Sequence, residues 1–302
     1  MCTSICLKSQ GGSSGLMLGL KKYREHDYVG AIHEYNKALK TSPTNAMLYD
    51  ERGSSKIKLG DVKGALKDFS KAIQIDSSFA SPYFKRGNVW YAAHKFSKAI
   101  AEYDAALDLK GNDPKIYFNR ANCYYLLRDY EKSVKDLNQA IQLDPSHSHA
   151  YKNRAMIYYK QGNFSNAIFD YDKVIKSNPN DASAYLRRGH SKQMLGKFDA
   201  AIKDYNNAVL IRRSYTSVYK KRAVCRYETG FFKGSIADCN KVLRSKPKNK
   251  LALYYRGLAK SKLGKIASAC NDLNKSAELG LSSAAQAIKS NCEKKEEVVP
   301  KR

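Results

Sequence analysis

The sequence predicts an all-α protein, built as an α-solenoid of eight helical hairpins. A 34-residue pattern recurs eight times without an inserted or deleted residue. Within each unit the apolar residues follow helical spacing, and no segment alternates apolar and polar residues as a strand would. The 302 residues could form two ordinary globular domains. The unbroken period instead favours one solenoid, in which each hairpin buries its face against its neighbours.

The segment 148–181 shows the pattern of one hairpin. Its first helix presents residues spaced three, one and three apart, and Gly162 ends that helix as a residue able to adopt a left-handed conformation. A second helix follows and stops before Pro179. The residues that define the two faces are Tyr151, Arg154, Ala155 and Tyr158, then Ala167, Tyr171 and Val174.

Small residues recur at one position of each predicted helix, where a bulkier side chain would hold the paired helices apart. In the first helices they are Gly19, Gly53, Gly87, Ala121, Ala155, Gly189, Ala223 and Gly257. In the second helices they are Ala31, Ala65, Ala99, Ser133, Ala167, Ala201, Ser235 and Ala269.

This period and residue pattern resemble the tetratricopeptide repeat family over residues 12–281. The resemblance implies a right-handed superhelix whose first helices line a concave groove that holds an extended peptide or a partner's helix. We expect repeats starting near residues 12, 46, 80, 114, 148, 182, 216 and 250. We also expect a flexible tail over 1–11, a capping helix over 282–292 and a disordered charged tail over 293–302.

Two rows of opposite charge repeat in step with the hairpins. Each arginine could pair with the acid of its own repeat or with that of the preceding repeat, and the second option leaves no arginine unmatched. Alternatively, the arginines could line a phosphate-binding track. The basic row is Arg52, Arg86, Arg120, Arg154, Arg188, Arg222 and Arg256; the acidic row is Glu34, Asp68, Glu102, Asp136, Asp170, Asp204, Asp238 and Asp272.

The chain is strongly basic, with 54 Lys and Arg against 28 Asp and Glu and a formal net charge of +26. Such an excess favours acidic partners, whether protein, nucleic acid or membrane surface. No apolar run approaches the roughly 20 residues that a membrane-spanning helix needs. The first 15 residues contain no apolar stretch of the length that a secretory signal needs. We therefore expect a soluble, cytoplasmic protein.

The seven cysteines show no CxxC pair and no metal-ligand spacing, so neither a metal nor a cofactor is expected. We expect reduced thiols, with the helical Cys123, Cys225, Cys239 and Cys270 acting as small core residues. No HExxH, GxSxG or glycine-rich phosphate loop occurs, so no enzymatic activity is expected.

The expected function is that of a non-enzymatic scaffold that binds an extended, acidic peptide in the groove. Side-chain amides can donate to and accept from a peptide backbone, and cations can meet its negative side chains. Asp50 and Glu51 would give such a ligand a preferred direction. The predicted amide row is Asn88, Asn119, Asn122 and Asn153, and the predicted cations are Lys152, Arg187, Lys220 and Lys221.

Three alternatives remain at this point. The family's carboxylate clamp for chaperone tails is only partly matched, because Phe118 and Ser183 stand where cations are needed. Basic and aromatic residues on the same face could instead bind RNA or another polyanion. The third alternative is self-association through one end of the solenoid.

Overall fold

A computed structural model describes residues 14–292. The predicted tails over 1–11 and 293–302, with Cys2 and Cys6, lie outside the described residues. The described part contains seventeen helices and no strand. Helix α1 covers residues 14–24. The others are α2 Tyr28–Thr41, α3 Ala46–Lys58, α4 Val62–Ile75, α5 Ala80–Ala92, α6 Phe96–Leu109, α7 Pro114–Leu126, α8 Tyr130–Leu143, α9 Ser148–Lys160, α10 Phe164–Ser177, α11 Ala182–Met194, α12 Phe198–Ile211, α13 Thr216–Glu228, α14 Phe232–Ser245, α15 Lys250–Lys262, α16 Ile266–Glu278 and α17 Ser282–Asn291.

The predicted all-α solenoid is confirmed. Each odd-numbered helix from α1 to α15, here called a first helix, forms a hairpin with the second helix that follows it. The chain divides after residue 150 into two compact units. Within each unit, a second helix also packs against the next first helix, so the hairpins form a continuous stack.

The paired helices approach most closely at the small residues that the sequence repeats. A Cβ atom added to Gly53 would lie 2.7 Å from the ring of Phe69, and one added to Gly87 would lie 2.7 Å from the ring of Tyr103. These two rings are at most 1% exposed. The small residue therefore lets a buried aromatic ring of the second helix pack directly on the backbone of the first.

Each hairpin turn contains one residue in the left-handed backbone region, at the same place in the repeat. Glycine occupies this position in five hairpins, where φ lies between 71° and 81°. The other three turns place a side chain there, at His26, His94 and Arg128, with φ of 63°, 56° and 64°. The five glycines are Gly60, Gly162, Gly196, Gly230 and Gly264.

The arginine and acidic rows pair within each hairpin, so the between-repeat pairing that arithmetic favoured is wrong. The guanidinium of Arg154 donates from Nε and Nη2 to the two carboxylate oxygens of Asp170, at 2.8 and 2.7 Å. The hairpin sets these residues, 16 positions apart, side by side on its two helices. All seven repeated arginines pair in this way: Arg52–Asp68, Arg86–Glu102, Arg120–Asp136, Arg154–Asp170, Arg188–Asp204, Arg222–Asp238 and Arg256–Asp272.

The remaining guanidinium nitrogen also links neighbouring hairpins. Nη1 of Arg120 donates to Asp104 at 2.6 Å, and Nη1 of Arg52 donates to Asn36 at 2.7 Å. Each acceptor lies in the preceding hairpin, two residues beyond that hairpin's row acid. Each of these two arginines therefore ties its own hairpin together and holds the previous one against it.

The expectation that the helical cysteines are all reduced is wrong for Cys270. A disulfide joins Cys270 in α16 to Cys292, which follows α17. Because α17 folds back on α16, the two Cα atoms lie 5.7 Å apart, within the normal range for a disulfide. Cys123, Cys225 and Cys239 are free and buried.

None of the helices within residues 14–292 combines the length and the apolar character that crossing a bilayer requires.

Replacing Arg128 by glycine should stabilise the protein. A non-glycine residue in the left-handed region destabilises the folded state by about 1–2 kcal/mol. Glycine removes this strain, but its greater freedom in the unfolded chain costs about 0.5–1 kcal/mol of stability. We expect the free energy of unfolding to rise by about 0.5–1 kcal/mol for Arg128→Gly, measured by urea denaturation. Arg128→Ala keeps the strained backbone and serves as the control. An equal gain from alanine would mean that the arginine side chain, and not the backbone, is the source of the effect.

Removing the acid of one hairpin should destabilise its unit strongly. Asp170 is fully buried, so Asp170→Ala leaves the largely buried guanidinium of Arg154 without its counterion. We expect a loss of about 3–5 kcal/mol in the free energy of unfolding, measured by urea denaturation with circular dichroism. In the matched variant Asp172→Ala, the lost carboxylate is 53% exposed, and the expected loss is below about 1 kcal/mol. Similar losses from the two variants would contradict this account.

Candidate functional site

The predicted site residues all lie on first helices, and all are half-buried. In the unit that ends at residue 150, Asn88 lies on α5, while Asn119 and Asn122 lie on α7. In the unit that begins at residue 151, the remaining five lie on α9, α11 and α13: Lys152, Asn153, Arg187, Lys220 and Lys221.

Two of the asparagines contact each other. The Oδ1 atom of Asn88 accepts hydrogen bonds from the hydroxyl of Tyr103 and from Nδ2 of Asn119, both at 2.8 Å. Among the described residues, Nδ2 of Asn88 and Oδ1 of Asn119 make no further hydrogen bond. The pair therefore presents one donor and one acceptor, the combination that a peptide backbone requires.

The acidic residues expected to orient a ligand are instead paired within the protein. Nζ of Lys85 lies 2.9 Å from Asp50 and 3.2 Å from Glu51. Asp50 also accepts a hydrogen bond from the hydroxyl of Ser81 and is only 1% exposed. These contacts link α3 to α5. The single ammonium of Lys85 offsets the charge of only one of the two carboxylates, so the acidic end predicted for the face is reduced in charge but stays negative.

One of the predicted cations is likewise neutralised. Nζ of Lys152 lies 2.6 Å from the carboxylate of Asp181, which begins the next hairpin as the N-cap of α11. Arg187, in contrast, makes no ion pair among the described residues. Its guanidinium carbon lies 5.8 Å from the ring centroid of Tyr159, at cation–π distance.

Tyr159 also connects Arg187 to His190, a residue of the same face that is not among the eight predicted site residues. The hydroxyl of Tyr159 hydrogen-bonds Nδ1 of His190, and the two ring centroids lie 5.4 Å apart. Burial, with a smaller contribution from the positive charge of Lys221, lowers the pKa of His190 to about 4. His190 follows Arg187 by three residues, on the same face of α11.

Lys221 is a half-buried ammonium with no carboxylate beside it. It makes no hydrogen bond and no ion pair with any described residue. Burial, followed by repulsion from Lys220, lowers its pKa to about 8. Most buried cations in proteins are paired, because removing an ammonium from water is costly. An unpaired one on an accessible face indicates a place for an external anion.

Within residues 14–292, no group of His, Cys, Asp and Glu side chains is arranged to hold a metal ion.

Comparison with known families agrees with the geometry of the hairpins. A family profile described as tetratricopeptide repeat matches residues 114–147 and 148–181, and a second one matches residues 182–215. A third, described as TPR repeat, matches residues 53–93. This chain is a tetratricopeptide repeat protein. No curated protein sequence matches it significantly.

Several solved tetratricopeptide repeat structures share the fold. YrrB, described as a TPR protein with an unusual peptide-binding site, is 19% identical, covers 61% of this chain and 95% of its own, and superposes with a TM-score of 0.56. PilF of Pseudomonas aeruginosa is 16% identical, and the match covers 72% of this chain and 98% of PilF, with a TM-score of 0.62. The C-terminal part of a TPR repeat-containing protein of Cytophaga hutchinsonii is 17% identical. This match covers 80% of this chain and 98% of the other, with a TM-score of 0.64.

The half-buried His190 should make the stability of this tetratricopeptide repeat protein depend on pH. Its pKa is about 4 in the folded state and about 6.5 when unfolded, so the unfolded chain binds more protons between these values. We expect the free energy of unfolding to fall as the pH drops from 6.5 towards 4. Urea denaturation at several pH values measures this loss, and His190→Gln should reduce its slope. An unchanged slope in the variant would assign the loss to other groups.

Proposed function

We propose that this tetratricopeptide repeat protein is a non-enzymatic scaffold that binds an extended, acidic segment of a partner protein on the face of its first helices. Proteins of this family mediate protein–protein interactions, and YrrB carries a peptide-binding site. The observation that carries the acidic preference is Lys221, a half-buried ammonium without a counterion. A carboxylate of the ligand would supply the missing charge and offset the cost of burying this cation.

The neighbouring groups on α11 and α13 support the same preference. Arg187 and Lys220 make no ion pair among the described residues, so neither is neutralised by the protein itself. Lys152 is a weaker candidate, since a ligand carboxylate would have to compete with Asp181 at 2.6 Å. We therefore assign the anionic side chains of the ligand chiefly to Arg187, Lys220 and Lys221.

Within each unit, asparagines would bind the backbone of a segment bound there. In the first unit, the donor of Asn88 and the acceptor of Asn119 remain for a peptide group. The other members of the amide row, Asn122 and Asn153, are half-buried on α7 and α9, and they would also contact the backbone of a bound segment. Binding through amides tolerates many sequences, so the cations would supply the selectivity.

Binding of labelled synthetic peptides tests the proposal. Fluorescence anisotropy measures the binding of a fluorescein-labelled 12-residue peptide in which pairs of Glu alternate with pairs of Gly. Two control peptides carry Gln or Lys in place of every Glu. We expect binding of the Glu peptide alone, weakened about tenfold in Lys221→Gln. The control Lys203→Gln removes an exposed charge from the second helix α12 and should change little. Equal losses in the two variants would mean that net charge, and not this site, attracts the peptide.

The charge of +26 also favours RNA or another polyanion as the ligand. The salt dependence of binding distinguishes such a polyanion from the acidic peptide. Binding of an oligouridine of 20 nucleotides, measured in the same assay, should weaken steeply with salt if it neutralises many phosphates. If the oligouridine binds more tightly than the Glu peptide at 150 mM NaCl and Lys221→Gln has no effect on either, the peptide proposal is wrong.

The affinity for the acidic peptide should also fall as the pH rises from 7 to 9. Lys221 loses its proton near a pKa of about 8, whereas glutamate side chains stay ionised and the nearby Cys225 thiol has a pKa of about 12. Lys221→Arg keeps the charge over this range and should abolish most of the fall. Anisotropy titrations at pH 7, 8 and 9 measure the effect. A fall of equal size in the arginine variant would assign it to another group.

A further inference from the structure

Helix α13 carries a second group of polar residues two turns beyond Lys221. Glu228 follows Lys221 by seven residues, so the two side chains leave the same face of the helix. Together with residues of α15 and α17, Tyr227 and Glu228 line a cleft of about 550 Å³. The far wall comes from α17, which the disulfide and a 2.6 Å hydrogen bond from Ser261 to Asn291 hold in place.

Three tyrosine rings form the aromatic part of this cleft. The ring centroids of Tyr227 and Tyr255 lie 5.7 Å apart with the planes at 67°, and those of Tyr254 and Tyr255 lie 5.3 Å apart with the planes at 83°. Because the rings are nearly perpendicular, they present π faces in different directions. Such faces attract ammonium and guanidinium groups.

Glu228 adds a negative charge that the protein does not neutralise. It is exposed, and among the described residues it makes no ion pair. Glu51 and Asp181, acids at other first helices, are both paired with lysine. Burial and, secondarily, the negative charge of Glu228 raise the pKa of Tyr255 to about 12, which agrees with a carboxylate close to the rings.

We infer that this cleft, formed by Tyr227, Tyr254, Tyr255 and Glu228, binds a cationic side chain of a peptide ligand, a lysine ammonium or an arginine guanidinium. Seven residues of helix span about 10 Å. A ligand in the polyproline II conformation covers about 9 Å in three residues, and because this conformation has three residues per turn, side chains three positions apart lie on the same side. The preferred ligand therefore carries an acidic residue at Lys221 and a basic residue about three positions away. This spacing rests on the proposed function, whereas the cation site itself does not.

Lys262 provides an internal check of this assignment. It lines the same cleft, is exposed and makes no ion pair with Glu228. Its positive charge would repel a bound cation. Removing the Lys262 charge should therefore strengthen binding, in the opposite direction to removal of Glu228.

Titration with tetramethylammonium chloride tests the cation site without any peptide. The signals of ¹³C-labelled tyrosine rings are followed by NMR at constant ionic strength in the full chain. We expect saturable shifts that are absent or at least fivefold weaker in Glu228→Gln and in Tyr254→Leu, and stronger in Lys262→Gln. Glu278→Gln, which removes another exposed glutamate of the same unit, should bind as the wild type does. Shifts that do not saturate, or that are equal in Glu228→Gln, would overturn the inference.

A peptide comparison tests the spacing. To the Glu peptide we add one lysine three positions from the last glutamate, or the same lysine next to it. The wild-type protein should bind the peptide with the three-residue spacing about fivefold more tightly than the peptide with the adjacent lysine. The Glu228→Gln variant should bind the two peptides equally. If the Glu peptides fail to bind at all while tetramethylammonium still does, the proposed function fails and the cation site stands. Equal affinities of the two lysine peptides for the wild type would overturn the spacing.

Discussion

The structure depends on the ion pair between an arginine of the first helix and an acid of the second helix within each hairpin. Both partners are largely removed from water, as at Arg154 and Asp170, where the side chains are 14% and 1% exposed. A guanidinium meets a carboxylate through two parallel hydrogen bonds, which fixes the position of one helix along the other. The third nitrogen of Arg120 and of Arg52 reaches the preceding hairpin, so the same side chain also contributes to stacking.

This arrangement explains why so basic a chain can still present a specific surface. Seven of the row acids form ion pairs with arginines inside the hairpins. Elsewhere on the first helices, Lys85 pairs with Asp50 and Lys152 pairs with Asp181. The cations of the repeated row are consequently neutralised and cannot form a phosphate track. On the first helices, Arg187 and Lys221 are among the cations that this pairing leaves for a ligand.

The residues that give this protein its own chemistry are those that depart from the repeat. A tetratricopeptide fold serves many functions, so function has to be argued from particular side chains. Lys221 and Glu228 lie on one face of α13, and neither has a partner of opposite charge in the described part of the chain. A helix that offers a site for an anion and a site for a cation selects the order and direction of charges in its ligand, and thereby gives specificity as well as attraction.

The sequence by itself determined the period, the hairpin, the close contact at Gly53 and Gly87, and the left-handed turn at Gly162, because each follows from local spacing and backbone sterics. The family resemblance, and not the spacing alone, led to the prediction of a site on the first helices. Only the tertiary structure decided which acid each arginine meets, since two partners at different distances along the chain were equally compatible with the period. The same holds for the Cys270–Cys292 disulfide, the Lys85 pairs and the clustering of Tyr227, Tyr254 and Tyr255, which depend on how neighbouring helices face one another in space.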